Sequence, residues 1–130
     1  MTERCGRETK HSKQHPHVRI EHRVIDSAAF ARLAPSSVLL LVILVRQLTK
    51  DNNGHLQASF GYCSRFGLRS EDTLRRSIAD LITHGFIYRT RSHGANKVYA
   101  KYAVTWLTIK QKDGLFLNGF EMFAWRKYDE

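Results

Sequence analysis

The clearest pattern of hydrophobic and polar positions lies between residues 70 and 85, where apolar side chains recur at helical spacing. These side chains belong to Leu74, Ile78, Leu81 and Ile82. Ser70 is a favourable helix N-cap, and Gly85 is a favourable residue just beyond a helix end. The pattern predicts an amphipathic helix with one apolar stripe turned towards a core.

The segments on both sides of this helix carry strand and turn patterns. Residues 86–91 and 97–105 are typical of two strands joined at residues 92–96, so a β-hairpin is expected. Upstream, residues 59–66 predict a short helix that Gly67 ends, with Leu68 filling the turn that follows. The preceding segment HLQAS alternates well enough for one strand. The predicted order is therefore strand, short helix, tight turn, helix and hairpin.

An apolar run near the middle of the chain predicts a longer helix that begins at Pro35 and ends near Leu48. A buried strand is the alternative for residues 38–45, but the proline start, the total length and the polar exit favour a helix. Asp26 is the expected N-cap of a shorter helix ahead of it. A helix that is apolar on every side must be covered by the rest of the domain or by a second copy, which motivates a homodimer.

The two ends of the chain differ in composition from its middle. Residues 1–24 are polar and basic, so we expect a flexible tail ahead of a domain that spans residues 25–110. A metal site in the tail is not favoured, because its histidines lack rigid surroundings; they are His11, His15, His17 and His22. Residues 111–130 are rich in aromatic residues, which either fold back over the apolar helix to complete the core or form a surface for a partner.

Composition limits the possible classes of protein. The chain has 130 residues, 42% of them hydrophobic, which fits one modest core rather than two domains. A formal net charge of +9 favours a polyanionic partner, because neutralised phosphates release their counterions. The longest apolar run is shorter than the roughly 18 residues that a membrane span needs. We therefore expect no membrane contact and a cytoplasmic, nucleoid-associated protein.

Motifs that carry chemistry are scarce. Cys5 and Cys63 lie far apart, with neither zinc-ligand spacing nor a disulfide framework, and Cys63 is expected to pack in the core. No nucleophile elbow, phosphate-binding loop or constellation of carboxylates stands in the sequence. We therefore expect no enzyme activity, no metal or other cofactor and no small-molecule ligand.

Positive charge is concentrated on the helix at residues 70–85 and on the hairpin that follows it. At about 100° per residue, Arg76 points away from the apolar stripe, with Asp72, Thr73, Asp80 and Thr83 beside it. An isolated arginine on a helix usually does no more than keep its surface hydrated. The basic hairpin beside the helix changes this balance, because the two elements together form one continuous basic surface.

The segment SEDTLRRSIADLITHGFIYRTR resembles the recognition helix and wing of the winged helix-turn-helix superfamily of bacterial regulators. The shared pattern is Ser, two variable residues, Thr, an aliphatic residue, one variable residue, Arg, a small residue and an aliphatic residue, followed later by Gly-aliphatic-Ile. The resemblance implies an α+β winged-helix fold, with about three or four helices and a β-hairpin wing, and double-stranded DNA as the partner. The leading helices, the Asn-Asn-Gly turn and the Tyr-Ala-Val-Thr-Trp strand are also similar to small DNA-binding proteins of plasmids, phages and integrative elements.

Carried over position by position, the resemblance implies which residues touch DNA. Ser70 would meet a phosphate, Thr73 a phosphate or a thymine methyl group, and Arg76 a guanine edge in the major groove. The remaining predicted contacts come from the turn, the helix and the wing: Arg69, Arg75, Arg89, Arg91, His93 and Lys97. Glu71 stands where related proteins often carry Arg, and Asp72 follows it. These carboxylates either accept from cytosine N4 or leave most of the affinity to the wing.

Two functions of different classes follow from these patterns. The first is sequence-specific binding of double-stranded DNA, by a transcriptional regulator or by a replication or maintenance protein of a plasmid, phage or other mobile element. The second is an assembly module, in which Glu71, Asp72 and Asp80 face a protein while the basic tail binds nucleic acid nonspecifically.

Overall fold

The computed structural model describes residues 15–94 and 99–128, which form a mixed α+β fold. In chain order the helices and strands are α1 His22–Ile25, α2 Ala28–Ala31, α3 Pro35–Arg46, α4 Phe60–Cys63, α5 Glu71–Thr83, β1 Ile87–Arg91 and β2 Lys101–Val104. Short 3₁₀ turns follow α4 at Ser64–Phe66 and lie near the C-terminus at Ala124–Tyr128. The predicted order of short helix, turn, helix and hairpin is confirmed.

Helix α3 confirms the prediction of a helix rather than a strand for the apolar run. Its residues Leu40, Leu41 and Leu44 are fully buried, whereas Val42 is 45% exposed. The chain itself therefore covers most of α3, which removes the reason for expecting a second copy to cover it, and the homodimer stays a prediction. Within the described ranges, no helix is both long enough and apolar enough to cross a bilayer.

The turn between α4 and α5 forms as the sequence predicts. Ser59 caps α4 through its side chain, and the chain leaves the following 3₁₀ turn through Gly67 at φ 102°. Leu68 is buried between the helices. Ser70 then caps α5 by accepting a hydrogen bond from the Thr73 N–H. Helix α5 therefore begins at a defined point relative to α4.

The packed face of α5 differs in detail from the predicted stripe. The buried residues of α5 are Leu74, Ser77 and Leu81. Ile78 and Ile82 are only partly buried. Ser77 is accommodated because its hydroxyl donates to the Ser36 hydroxyl of α3 at 3.0 Å. The buried face of α5 is thus rotated towards α3.

The basic hairpin pairs in antiparallel register. Ile87 lies opposite Val104, and Arg89 lies opposite Tyr102. An irregularity between Arg89 and Arg91 shifts the register before the tip. Such a bulge bends its strand and changes the direction in which the tip points.

The strand predicted for residues 55–59 is reduced to a single bridge at Leu56. Leu56 exchanges both backbone hydrogen bonds with Tyr102, at 3.0 and 2.8 Å. Nearer the turn, the side chain of buried Asn53 accepts from the Val104 N–H at 2.9 Å and donates to the Val104 carbonyl at 3.1 Å. Asn53 thus occupies the Val104 backbone groups that Gly54 would meet if the pairing of Leu56 with Tyr102 continued towards the turn.

Packing extends further towards the N-terminus than the expected boundary at residue 25. Val24 in α1 is fully buried. Ser27, rather than the predicted Asp26, caps α2, while Asp26 follows the end of α1. Residues 1–14 of the predicted tail, including His11, lie outside the described residues.

The C-terminal aromatic residues divide between the core and the surface. Trp125 is 1% exposed, and its ring stacks on Phe86 with the centroids 5.6 Å apart. The rings of Trp106 and Phe123 pack edge-on against the Trp125 indole, with centroid distances of 6.1 and 5.6 Å. Phe116 is 64% exposed. The prediction that these rings complete the core therefore holds for Trp125 but not for Phe116.

Gly85 lets the C-terminal segment approach the end of α5. This residue has φ 81°, and a Cβ on it would lie 2.6 Å from both the carbonyl carbon of Ala124 and the nitrogen of Trp125. Only glycine meets both demands. The residue that the sequence marks as a helix terminator is therefore also the place where the C-terminal segment docks.

Replacement of Trp125 by Ala is expected to lower the free energy of unfolding by about 3–5 kcal/mol, because it empties a fully buried aromatic position. Phe116→Ala is the control, since an exposed ring of the same segment contributes within about 0.5 kcal/mol. Urea unfolding followed by circular dichroism measures both. Equal effects of the two substitutions would contradict the placement of Trp125 in the core.

Candidate nucleic-acid interface

The outward face of α5 is a ridge that carries two arginines and an aspartate. The side chains of Arg75, Arg76 and Asp72 are 70%, 73% and 63% exposed. Asp72 Oδ1 accepts from Arg75 Nη2 at 3.2 Å, and Asp72 Oδ2 lies 3.1 Å from Arg76 Nη2. One carboxylate is therefore shared between two guanidinium groups, each of which carries five N–H donors and uses one Nη2 in this contact.

A wing-side groove of about 470 Å³ separates α5 from the hairpin. Arg75 lines it from the helix, and Arg89 and His93 line it from the hairpin. The Arg89 guanidinium lies over the Tyr102 ring, 5.5 Å from its centroid, which holds the charge at the edge of the groove. The structure thus brings together three predicted site residues from two elements.

An α3-side groove of about 580 Å³ lies along the opposite flank of α5. Thr73 and Arg76 line it together with Arg32, which precedes α3. Arg75 and Arg76 therefore straddle the ridge instead of facing one surface. Sequence reasoning missed Arg32, because it stands outside the helix and hairpin motif and only the packing of α3 on α5 brings it near Arg76.

The start of α5 carries two further predicted residues, Arg69 and Ser70, both exposed. The Ser70 hydroxyl oxygen accepts the capping hydrogen bond from the Thr73 N–H at 3.3 Å. The hydroxyl group can still donate its own hydrogen while its oxygen accepts this bond. Capping of α5 and donation to a phosphate are therefore compatible.

Arg91 has a structural contact that the sequence did not predict. Its Nε and Nη2 both donate to the backbone carbonyl of Tyr99, at 2.9 and 2.6 Å. This pair of bonds, which we call the Arg91 clasp, joins the two chain segments that lead into the hairpin tip. Lys97, the remaining predicted wing residue, lies outside the described residues.

The predicted outward position of Asp80 is wrong. Its side chain is 25% exposed, and Oδ2 accepts from the Ala34 N–H at 3.1 Å and from the Ser37 hydroxyl at 2.6 Å. Both donors belong to the N-terminal end of α3, where a carboxylate is favoured by the unpaired N–H groups and by the helix dipole. Asp80 therefore caps α3 from a neighbouring helix, because Ala34 has no side-chain acceptor of its own.

Cys63 does not add a reactive thiol to this surface. Cys63 is buried, and burial raises the pKa of its thiol to about 11. The thiolate, which is the form that attacks electrophiles and binds metals, is therefore scarce at neutral pH. Within residues 15–94 and 99–128, no cluster of three or more His, Cys, Asp or Glu side chains is arranged to hold a metal ion.

No protein-family model, curated protein or solved structure matches this chain. Its function is therefore inferred from the surface just described. That surface offers guanidinium donors on both sides of a helical ridge, an imidazole on the hairpin side and the Ser70 hydroxyl at the helix start. Such donors suit phosphate oxygens and the acceptor edges of bases.

Replacement of Asp80 by Ala is expected to lower the free energy of unfolding by about 1–3 kcal/mol, because it leaves the N–H and O–H donors of α3 without their acceptor. Asp51→Ala is the matched control, since that carboxylate is 52% exposed and lies 3.7 Å from Lys110. An exposed pair of this kind contributes about 0–1 kcal/mol. Urea unfolding compares them, and an equal loss in both would argue against the capping role.

Proposed function

We propose that this chain is a winged-helix protein that binds double-stranded DNA through α5 and the β1–β2 hairpin. In helix-turn-helix proteins the second helix of the unit enters the major groove. The order of elements supports the assignment: α4, a turn through Gly67, α5 and the hairpin follow one another, and Leu56 bridges to β2.

The observation that carries the proposal is the wing-side groove. Arg75 from α5 and Arg89 and His93 from the hairpin line the same groove, so helix and hairpin present positive charge on one side of the molecule. A duplex can contact both elements at once only if they share a side. Guanidinium groups at such an edge match the geometry of phosphates and of guanine O6 and N7.

The two flanks of α5 divide the contacts in this proposal. The major groove of B-DNA is about 12 Å wide and admits one helix. Because Arg75 and Arg76 lie on opposite flanks, a helix seated there reaches towards both walls of the groove. Arg32, beside Arg76 in the α3-side groove, then supplies a backbone contact beyond those predicted from the sequence.

We infer that the biological role is that of a transcriptional regulator or of a replication or maintenance protein of a mobile element, acting at the nucleoid. The formal net charge of +9 supports a duplex partner, since each neutralised phosphate releases counterions. A homodimer that reads two half-sites is part of this proposal, and sedimentation at several concentrations tests it.

The alternative of an assembly module is less well supported. It relies on Glu71, Asp72 and Asp80 as an acidic surface for a protein. Asp80 is bound to the N-terminal end of α3, and Asp72 is shared between two arginines. The surface that remains exposed on α5 is therefore not dominated by free acidic groups.

Fluorescence anisotropy with labelled DNA duplexes, combined with selection of bound fragments from a random pool, tests the proposed function. We expect binding that weakens steeply as salt increases, together with enrichment of a sequence motif. A complete lack of duplex binding at low salt would overturn the proposal. Binding without an enriched motif would remove its sequence-specific part.

Replacement of Arg76 by Ala is expected to cost about 1–3 kcal/mol of binding free energy on the enriched site and to relax the preference at one base pair. Lys110→Ala is the control for loss of a positive charge, because Lys110 lies near Asp51 and lines neither groove beside α5. Anisotropy titrations on the enriched duplex and its single-base variants measure both. An unchanged preference in a folded Arg76→Ala protein would exclude base reading by this residue.

Replacement of Arg89 by Ala is expected to weaken binding to all duplexes alike, because a backbone contact does not depend on sequence. The slope of log affinity against log salt concentration should become shallower by about 0.9, the value for one phosphate contact. Titrations at several salt concentrations, with Lys110→Ala as the reference, give this slope. If neither slope nor affinity changes, the hairpin does not contact the backbone through Arg89.

A further inference from the structure

Asp72 places a negative charge in the middle of the surface that the proposed function needs to be positive. On α5, Arg75 lies one helical turn along one flank of Asp72 and Arg76 one turn along the other. The carboxylate uses one oxygen for each guanidinium, at 3.2 and 3.1 Å. Because all three side chains are mostly exposed, these pairs contribute little to folding. A position in the first turn of α5 favours Glu71 and Asp72 alike, so helix stability does not account for the two arginine contacts that Asp72 makes.

The Asp72 carboxylate affects arginine binding to phosphates and arginine binding to base edges differently. A phosphate that approaches Arg75 or Arg76 brings a full negative charge within a few ångströms of Asp72, so the two like charges repel each other. Guanine O6 and N7 are neutral acceptors and meet no such charge repulsion. An Asp72 oxygen near a cytosine also finds a donor in the N4 amino group.

The geometry points to Asp72 as a specificity-determining residue, whose carboxylate suppresses binding of the two ridge arginines to phosphates while leaving them able to bind base edges. The inference rests on the proposed function, because it assigns a role within the same DNA surface. Discrimination between partners is achieved here by a repulsive group as well as by attractive ones. Asp72 is therefore expected to weaken binding to nonspecific DNA, and not to strengthen binding to the cognate site.

Glu71 provides a control within the same turn of the helix. It is exposed and carries the same charge one residue earlier, and both aspartate–arginine contacts of the ridge are made by Asp72. Asp72→Asn and Glu71→Gln therefore each remove one negative charge from the first turn of α5, at adjacent positions. Only Asp72→Asn releases the two guanidinium groups.

The experiment measures anisotropy of wild type, Asp72→Asn and Glu71→Gln on random-sequence duplexes and on the enriched duplex, across a series of salt concentrations. We expect Asp72→Asn to raise affinity for random duplexes by about five- to tenfold near 0.1 M salt and to steepen the salt slope by about one, as one added phosphate contact does. Glu71→Gln should produce a clearly smaller rise. The ratio of enriched-site affinity to random-site affinity should fall in Asp72→Asn alone.

Equal effects of the two substitutions on random duplexes would overturn the inference, because net charge alone would then account for both. A decrease of random-duplex affinity in Asp72→Asn would overturn it too. Asp72→Glu restores the carboxylate on the same turn and should return affinity for random duplexes towards the wild-type value. Thermal unfolding by circular dichroism confirms that each variant is folded.

Failure of the proposed function gives a different result. If neither the wild type nor any variant binds duplex DNA at low salt, the DNA function is lost and the role of Asp72 with it. If the wild type binds and selects a motif while Asp72→Asn behaves like Glu71→Gln, only the role of Asp72 is rejected.

Discussion

The direction in which α5 faces depends on the carboxylate of Asp80. This side chain binds the N-terminal end of α3, and the Ser77–Ser36 contact joins the same two helices one turn earlier. Together these hydrogen bonds set the rotation of α5 about its own axis, which apolar contacts alone specify loosely. The exposed ridge borders this seam, because Arg76 lines the α3-side groove together with Ser77 and Asp80. The positions of Arg75 and Arg76 on the two flanks follow from it.

The position of the hairpin relative to α5 has a separate cause. The chain passes from α5 into β1 through Gly85, and Phe86 lies under the indole of Trp125. The C-terminal segment therefore supports the junction from outside, although it is distant in sequence. A surface built from helix and hairpin requires both supports, because Asp80 orients the helix and Trp125 holds the start of the hairpin.

Features that depend on neighbours in sequence could be predicted from the sequence. The Ser70 cap, the left-handed Gly67 and Gly85 and the helical period of α5 each arise from a few consecutive residues, and the structure contains all of them. Features that depend on distant partners could not be predicted in this way. Asn53 binds the Val104 backbone beside the single Leu56 bridge, and Asp80 turns inward to bind Ala34. A single sequence shows that these residues are polar but not which distant group each one meets.

The Arg91 clasp has a consequence for how the hairpin tip could diversify. The acceptor is a backbone carbonyl, which any residue at position 99 supplies. The clasp therefore depends on the Arg91 side chain and hardly at all on the identity of residue 99. The entropy cost of a closed loop grows only slowly with its length. Insertions or replacements between the two clasped points are therefore inexpensive for the strands. The tip can change its reach and charge in evolution while the framework beneath it stays the same.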